Sequence, residues 1–430
     1  METAALYPLY ETKMDLKSYQ FQRLNQMLVF LLQNNAFYQE KLKEITLPIR
    51  GYERLAELPF TFKQELSEDQ ENNKPVGKIY SYPLTSYVEF HQTSGTTGKP
   101  IRVMDTKESW EWWSTCWQEV YKSSGVTAED TIFIAFSFGP FVGFWGGYQA
   151  GKDVGCLVIP GGGQSTKQRL DNLIENQATV LLCTPSYALY LAEVAEQNDI
   201  DIYHASLTTI ITAGEPGGSI PSVREKIEAS WGAKVFDHVG MTEMGAYGFS
   251  CSEQKGLHIN ESEFIAEVID PETGNHVREG ERGELVLTNL GRYGYPLIRY
   301  RTGDVVVHSM AQCGCGNPYR FLPGGIVGRQ DDMVVIRGIN IFPQSIESVV
   351  REFKELNEFK IMYYQENGMD QVKIQYEGDA FILDKMKALL RERLGLRVEV
   401  ELVDDNVLPR FELKSRRVDD RRHDINKPIL

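Results

Sequence analysis

The run Thr93-Ser94-Gly95-Thr96-Thr97-Gly98-Lys99-Pro100 concentrates hydroxyls, glycines and a lysine in one short stretch. Glycines let backbone N–H groups converge on an anion, Ser and Thr add donors, and the lysine adds charge, so the chemistry these types favour is phosphate binding. The spacing of Gly95 and Gly98 is too short for the P-loop of triphosphatases, and Pro100 stands where that motif needs Ser or Thr after the lysine. A polar hairpin turn is the plainer use of the same residues.

Two further groups could do chemistry. Cys251, Cys313 and Cys315 lie near glycines and polar residues, with His258 close behind Cys251. Three thiolates and an imidazole would complete a closed tetrahedral zinc site of structural type, against the alternative of loop cysteines without metal. Phe136, Phe138 and Phe141 are interleaved with glycines and could wall a flat pocket for an aromatic substrate, or serve as core. No Ser/His/Asp triad suggests itself.

The chain has 430 residues, 42% of them hydrophobic, and a formal net charge of −15. That length supports two domains, and the interspersed acidic surplus argues against a nucleic-acid partner. No basic segment followed by an apolar run opens the chain, and no apolar stretch is long enough to cross a membrane. A cytoplasmic protein without membrane contact is expected. Cys116, Cys156 and Cys183 sit in apolar or aromatic surroundings, as buried free thiols do.

The elements that must position these residues are legible as periodicities. Residues 14–45 read as helices with Leu24, Met27, Leu28 and Leu31 on one face. Val88–His91 and Ile101–Met104 read as hairpin strands around the hydroxyl-rich loop. From about residue 128, short apolar runs at 131–136, 155–160, Val180–Cys183, Thr209–Thr212 and Lys234–Asp237 alternate with helical stretches, which predicts a mostly parallel sheet with ligands at its carboxyl ends. Residues 264–308 switch to a β-rich subdomain. After Gly328 a small α+β unit is expected, with strand Met333–Ile336, helices Gln344–Phe353 and Phe381–Leu394, and strands near 359–364, 371–376 and 397–402. The expected fold class is therefore α/β, with a large unit over 1–328 and a small mobile unit over 329–430.

The hydroxyl-rich loop closely resembles the phosphate-binding loop of the adenylate-forming superfamily, which contains acyl-CoA synthetases, adenylation domains and luciferases. Further motifs follow in that family's order: His238-Val239-Gly240-Met241-Thr242-Glu243 resembles its adenylate-binding turn, and Tyr300-Arg301-Thr302-Gly303-Asp304 its ribose motif. Gly328-Arg329-Gln330-Asp331-Asp332 resembles the interdomain hinge, and Leu408-Pro409-Arg410 with Lys414 the C-terminal lysine loop, although Leu413 stands where the family has glycine. Within the superfamily, Thr184-Pro185-Ser186-Tyr187-Ala188 and the stretch from Arg337 to Pro343 look most like phenylacetate-CoA ligases.

The resemblance implies roles. Thr93, Ser94, Gly95, Thr96, Thr97, Gly98 and Lys99 would clasp the β and γ phosphates of ATP, Thr242 would bond the α-phosphate, and Glu243 would bind magnesium. Gly214, Glu215 and Pro216 match the adenine segment, Asp237 and His238 the positions before the adenylate turn, Asp304 the acceptor of the ribose hydroxyls, and Arg329 a ribose or phosphate contact. Asp331 matches the hinge position, and Lys414 would balance charge between carboxylate and α-phosphate. The implied activity is ligation of a small aryl acid such as phenylacetate to coenzyme A. An adenylyltransferase of the coenzyme F390 synthetase type and a non-catalytic nucleotide-binding relative are the alternatives. The sequence leaves open the acid, the acceptor and whether the chain forms a homodimer.

Overall fold

The computed structural model describes residues 13–93, 99–336, 339–366, 369–411 and 415–422. Its largest sheet has eight strands in the order Phe321–Pro323, Gly256–Ile259, Gly245–Phe249, Lys234–Met241, Thr209–Thr212, Val180–Cys183, Thr131–Ile134 and Leu157–Pro160. From Lys234–Met241 to Leu157–Pro160 the strands are parallel, as the alternation with helices requires; the remainder are antiparallel. Successive side chains of a strand face opposite ways, so Ile132 and Ile134 enter one core, with Trp113 and Trp117 of the helix Lys107–Ser123, while Phe133 enters a second, with Leu170, Tyr187 and Val223. The sheet is thus covered on both faces, which explains why its strands are short continuous apolar runs.

Helix Lys13–Asn34 buries Leu24, Met27, Leu28 and Leu31 against the first core. Asn35 then breaks the helical stretch by capping Ala36–Lys41, its side chain accepting from the Tyr38 N–H at 3.0 Å. The expected β-rich subdomain is a four-stranded antiparallel sheet, Phe264–Ile269, Arg282–Asn289, Tyr300–Val307 and Ile326–Arg329, in which Asp304 pairs with Arg329.

A third core contains Val334, Ile346, Phe359, Ile374, Met386 and Val400 and belongs to the segment after Gly328. Here a four-stranded sheet, in the order Glu399–Leu402, Met369–Gly378, Leu356–Glu366 and Val418–Asp420, packs with helices Pro343–Val350 and Leu383–Leu394. Several element ends differ from the sequence reading, such as the second helix starting at Leu383 and the last expected strand at Glu399, and two show their cause. The first of these helices stops at Val350 rather than Phe353, because its last bonds tighten to Glu352 N–H on Val349 O and Phe353 N–H on Val350 O. The strand expected over 131–136 stops at Ile134, where the Phe136 N–H folds back onto Ile134 O at 2.9 Å. Among the described residues, no helix is long and apolar enough to cross a membrane.

Candidate active site

Strands Tyr87–Gln92 and Arg102–Thr106 form the expected hairpin, and Thr93 closes its loop: the Thr93 N–H donates to Ile101 O and the Ile101 N–H to Thr93 Oγ1, both at 3.0 Å. Ser94, Gly95, Thr96, Thr97 and Gly98 lie outside the described residues. Lys99 is exposed and pairs with Glu71 of the helix Lys63–Asn72. The Gln92 N–H donates to Pro140 O at 2.7 Å, which sets the aromatic segment beside the loop's first strand.

Arg292 joins this hairpin to the turn at Thr242-Glu243. It donates two bonds to Asp105 at 2.7 and 2.6 Å, and to the carbonyls of Thr242 and Glu243 at 3.1 and 2.9 Å. Arg292 and Asp105 are both fully buried. A bidentate guanidinium with its remaining donors on carbonyls satisfies the geometry that a buried ion pair requires.

Glu243 is buried, with Lys63 Nζ 3.2 Å from its Oε1 and the Tyr300 hydroxyl donating to the same oxygen at 3.5 Å. Asp304 is buried on the strand that begins at Tyr300, and accepts from the Tyr247 hydroxyl at 2.7 Å and from Arg329 Nη1 at 2.8 Å. Two tyrosines therefore cross between the elements: Tyr300 of the Asp304 strand reaches Glu243, and Tyr247, just after Glu243, reaches Asp304. Arg329 also holds Asp331, Nε to Oδ1 at 3.0 Å. Gly303 has φ +76°, and a Cβ there would lie 3.2 Å from Arg329 Nη2, so glycine is needed for this approach.

Asp237 ends the parallel part of its strand opposite Thr212. Its carboxylate accepts from Ser219 Oγ and from Thr212 Oγ1, and its N–H donates to Ser250 Oγ at 2.7 Å. Burial pushes its pKa up to about 6, the hydrogen bonds offsetting only part of the cost. A Cβ at Gly218 would sit 2.6 Å from Asp237 Oδ1, so this wall too needs a glycine. The His238 ring lies 4.2 Å from the Trp117 ring with Nδ1 2.8 Å from Gly248 O; burial lowers its pKa to about 4 and keeps it neutral.

Gly214 has φ +93° and starts the loop after Thr209–Thr212. Glu215, buried, accepts the Ser186 N–H at 2.8 Å and the Ser415 N–H at 2.7 Å. Ser186 lies in the first turn of helix Pro185–Gln197, whose N-cap Thr184 accepts from the Tyr187 N–H. Other bonds join the third core to the rest of the chain. Arg417 is bidentate to Glu358 at 2.6 and 2.9 Å and donates to Ser186 Oγ at 2.8 Å. Arg410 joins Glu193 to Glu377, and Lys226 Nζ donates to Leu356 O at 2.7 Å. Lys414 lies outside the described residues.

Phe136 and Phe138 are half-buried and pack edge to face at 5.7 Å, with Phe138 4.7 Å from Trp145; Phe141 is exposed. Gly143 makes room for this cluster, since a Cβ there would fall 2.2 Å from Phe136 Cζ. Cys251, His258, Cys313 and Cys315 come together at the antiparallel edge of the large sheet, with ligand atoms all within 4.8 Å of one another. Cys251 Sγ is 3.7 Å from Cys313 Sγ, and Cys315 Sγ 3.4 Å from His258 Nε2, the separations expected between ligands sharing one tetrahedral zinc.

Sequence reasoning missed Lys63, Tyr247 and Arg292. Each acts on a group far along the chain, and only the arginine between Gly291 and Gly294 carries a local signal, a charge in a tight link between strands.

The AMP-binding enzyme family matches residues 41–291, and the AMP-binding enzyme C-terminal domain matches residues 338–422. The chain is 31% identical to a phenylacetate-coenzyme A ligase from Pseudomonas putida, over 98% of this chain and 98% of that protein. Its fold matches a crystal structure of 2-hydroxyisobutyryl-CoA ligase in the postadenylation state in complex with R3-HIB-AMP, with a TM-score of 0.90 at 26% identity, covering 98% of this chain and 95% of that one. Against the same ligase with 2-HIB-AMP and CoA in the thioesterification state the TM-score is 0.73 at 28% identity, covering 96% of this chain and 91% of that one.

Proposed function

Because the chain belongs to the AMP-binding enzyme family, we propose that it is an ATP-dependent acid:CoA ligase. A carboxylate oxygen attacks the α-phosphorus of ATP, the bond to the β-phosphate breaks, and pyrophosphate leaves. The CoA sulfur then attacks the acyl carbon of the adenylate, AMP leaves, and the thiol proton goes to solvent. The observation that carries this reading is the crossed pair of bonds, Tyr247 to Asp304 and Tyr300 to Glu243, which binds two motif carboxylates into one rigid wall beside the phosphate-loop hairpin.

In this reading Asp304 accepts the ribose hydroxyls and Arg329 steadies Asp304. Thr93 to Lys99 hold the β and γ phosphates, and Thr242 bonds the α-phosphate. The backbone of Gly214-Glu215-Pro216 would flank the adenine, and Asp237 and His238 stand on the neighbouring strand just before the adenylate turn. Lys414 balances charge at the α-phosphate, and Asp331 marks the hinge between the strand that ends at Arg329 and the third core, whose first member is Val334. The attack needs positioning and charge stabilisation rather than a general base, which accounts for the lack of a triad.

The buried carboxylate of Glu243 offers the oxygen donors a hard cation takes, and the cation would take the place of the Lys63 ammonium that stands 3.2 Å from Oε1 here. Magnesium bound there would neutralise phosphate charge. The cysteine cluster suits zinc with four protein ligands, a structural role that leaves no open position. The aromatic cluster at Phe136 and Phe138, together with the phenylacetate-coenzyme A ligase relative, favours phenylacetate or a similar aryl acid. The cytoplasm, where acid, ATP and CoA meet, is the proposed compartment.

The test is release of pyrophosphate and AMP from ATP across a panel of acids, with and without CoA. CoA-dependent AMP release with an aryl acid is expected. Transfer of AMP to a hydroxyl acceptor without CoA would instead identify an adenylyltransferase, and absence of ATP turnover a non-catalytic relative.

A further inference from the structure

We propose that Glu215 is a positioning residue that holds the C-terminal unit in place for the first half-reaction, by gripping one backbone N–H on each side of the joint; this rests on the two-step ligase reading above. One carboxylate oxygen accepts from Ser186, at the start of helix Pro185–Gln197, and the other from Ser415, the residue after Lys414. With both oxygens engaged, the side chain is committed to the joint, and the adenine contact of this loop falls to its backbone and Pro216. The loop can come this close because Gly217 lacks a Cβ, which would lie 2.4 Å from Pro185 Cβ. Arg417 reinforces the same point, reaching Ser186 Oγ while held by Glu358.

The two bonds of Glu215 have different fates when the units move. The Ser186 bond lies within the large unit and survives any rotation of the small one. The Ser415 bond spans the joint and must break. The chain as a whole matches the postadenylation state of 2-hydroxyisobutyryl-CoA ligase better than its thioesterification state, TM-score 0.90 against 0.73 at similar identity, which favours the first arrangement of the two units. Glu215 therefore stabilises the arrangement used for adenylation and contributes nothing across the joint in the other.

The substitution Glu215→Gln turns one acceptor into an NH2 group that faces a backbone N–H. The expected result is a fall of about tenfold or more in kcat for acid-dependent pyrophosphate release, with KM for ATP near wild type, since a lost charge-assisted bond acts on the joint and not on the nucleotide. Thioester formation from supplied acyl-adenylate and CoA should stay near the wild-type rate. If Glu215→Gln does not fold, Glu215→Asp, which keeps the charge but shortens the reach, should show the same split. Equal losses in both half-reactions, or a raised KM for ATP with unchanged kcat, would overturn the positioning role. Wild-type protein that releases no pyrophosphate with any acid would sink the ligase reading itself, and this role with it.

Discussion

Arg329 and Asp304 face each other across two antiparallel strands, with Arg329 Nη1 donating to Asp304 Oδ1 at 2.8 Å. The same guanidinium holds Asp331, so the carboxylate proposed for ribose and the acid proposed for the hinge share one cation. Asp304→Asn removes the charge that both the ribose hydroxyls and Arg329 use. It should raise KM for ATP by about tenfold or more, the size of a charge-assisted hydrogen bond. Steady-state kinetics at varied ATP checks this, and an unchanged KM would take Asp304 out of the nucleotide site.

Asp237 and His238, adjacent and buried, pull stability in opposite directions with pH. Burial raises the Asp237 pKa from 3.8 to about 6, so its contribution is present in full below 3.8 and lost as pH rises through 6. Burial lowers the His238 pKa from 6.5 to about 4, so its contribution is present above 6.5 and lost as pH falls through 4. Asp237→Asn removes only the first, and the variant's Tm should therefore drop more steeply than wild type from pH 6.5 to 4. Parallel Tm profiles would show that Asp237 ionises as freely in the fold as outside it.

Elemental analysis should find about one zinc per chain, the stoichiometry of one closed four-ligand site. Cys313→Ser should lose the metal and lower Tm, because a structural ion contributes folding free energy. Metal-free protein of undiminished Tm, purified without chelator, would reduce the four residues to neighbours.

For the acid, kcat/KM should be higher with phenylacetate than with octanoate, since a ring can stack on Phe138 and Phe136 while a flexible chain pays more ordering entropy. Phe138→Ala should weaken that preference by about 1 to 3 kcal/mol. A variant that loses Tm but keeps the preference would assign Phe138 to the core.

The sequence revealed the parts of the fold that rest on local periodicity. The runs at Val180–Cys183 and Thr209–Thr212 are strands with those bounds, because burial on both faces leaves a continuous apolar signal. Cys313 and Cys315, spaced tightly, still meet Cys251 and His258, since Gly316, at φ +80°, turns the loop with its N–H on Cys313 O. Element ends were less legible: a helix stopping at Val350 and a strand stopping at Ile134 are decided by one or two turn bonds that carry no period. Least legible were partnerships such as Glu215 with Ser415 or Tyr247 with Asp304, whose members lie far apart in the chain and leave no trace in either local segment.

The buried bond between Asp105 and Arg292 also orders events during synthesis. Asp105 stands on the second strand of the hairpin proposed to hold phosphate, and its cation is made 187 residues later. Until Arg292 leaves the ribosome, a compact nascent chain would have to bury an uncompensated carboxylate at this spot, which is strongly unfavourable. The junction between this hairpin and the turn at Thr242-Glu243 can therefore close only after Arg292 is made, and a chain truncated before Arg292 should leave Asp105 without its cation however complete its parallel sheet is.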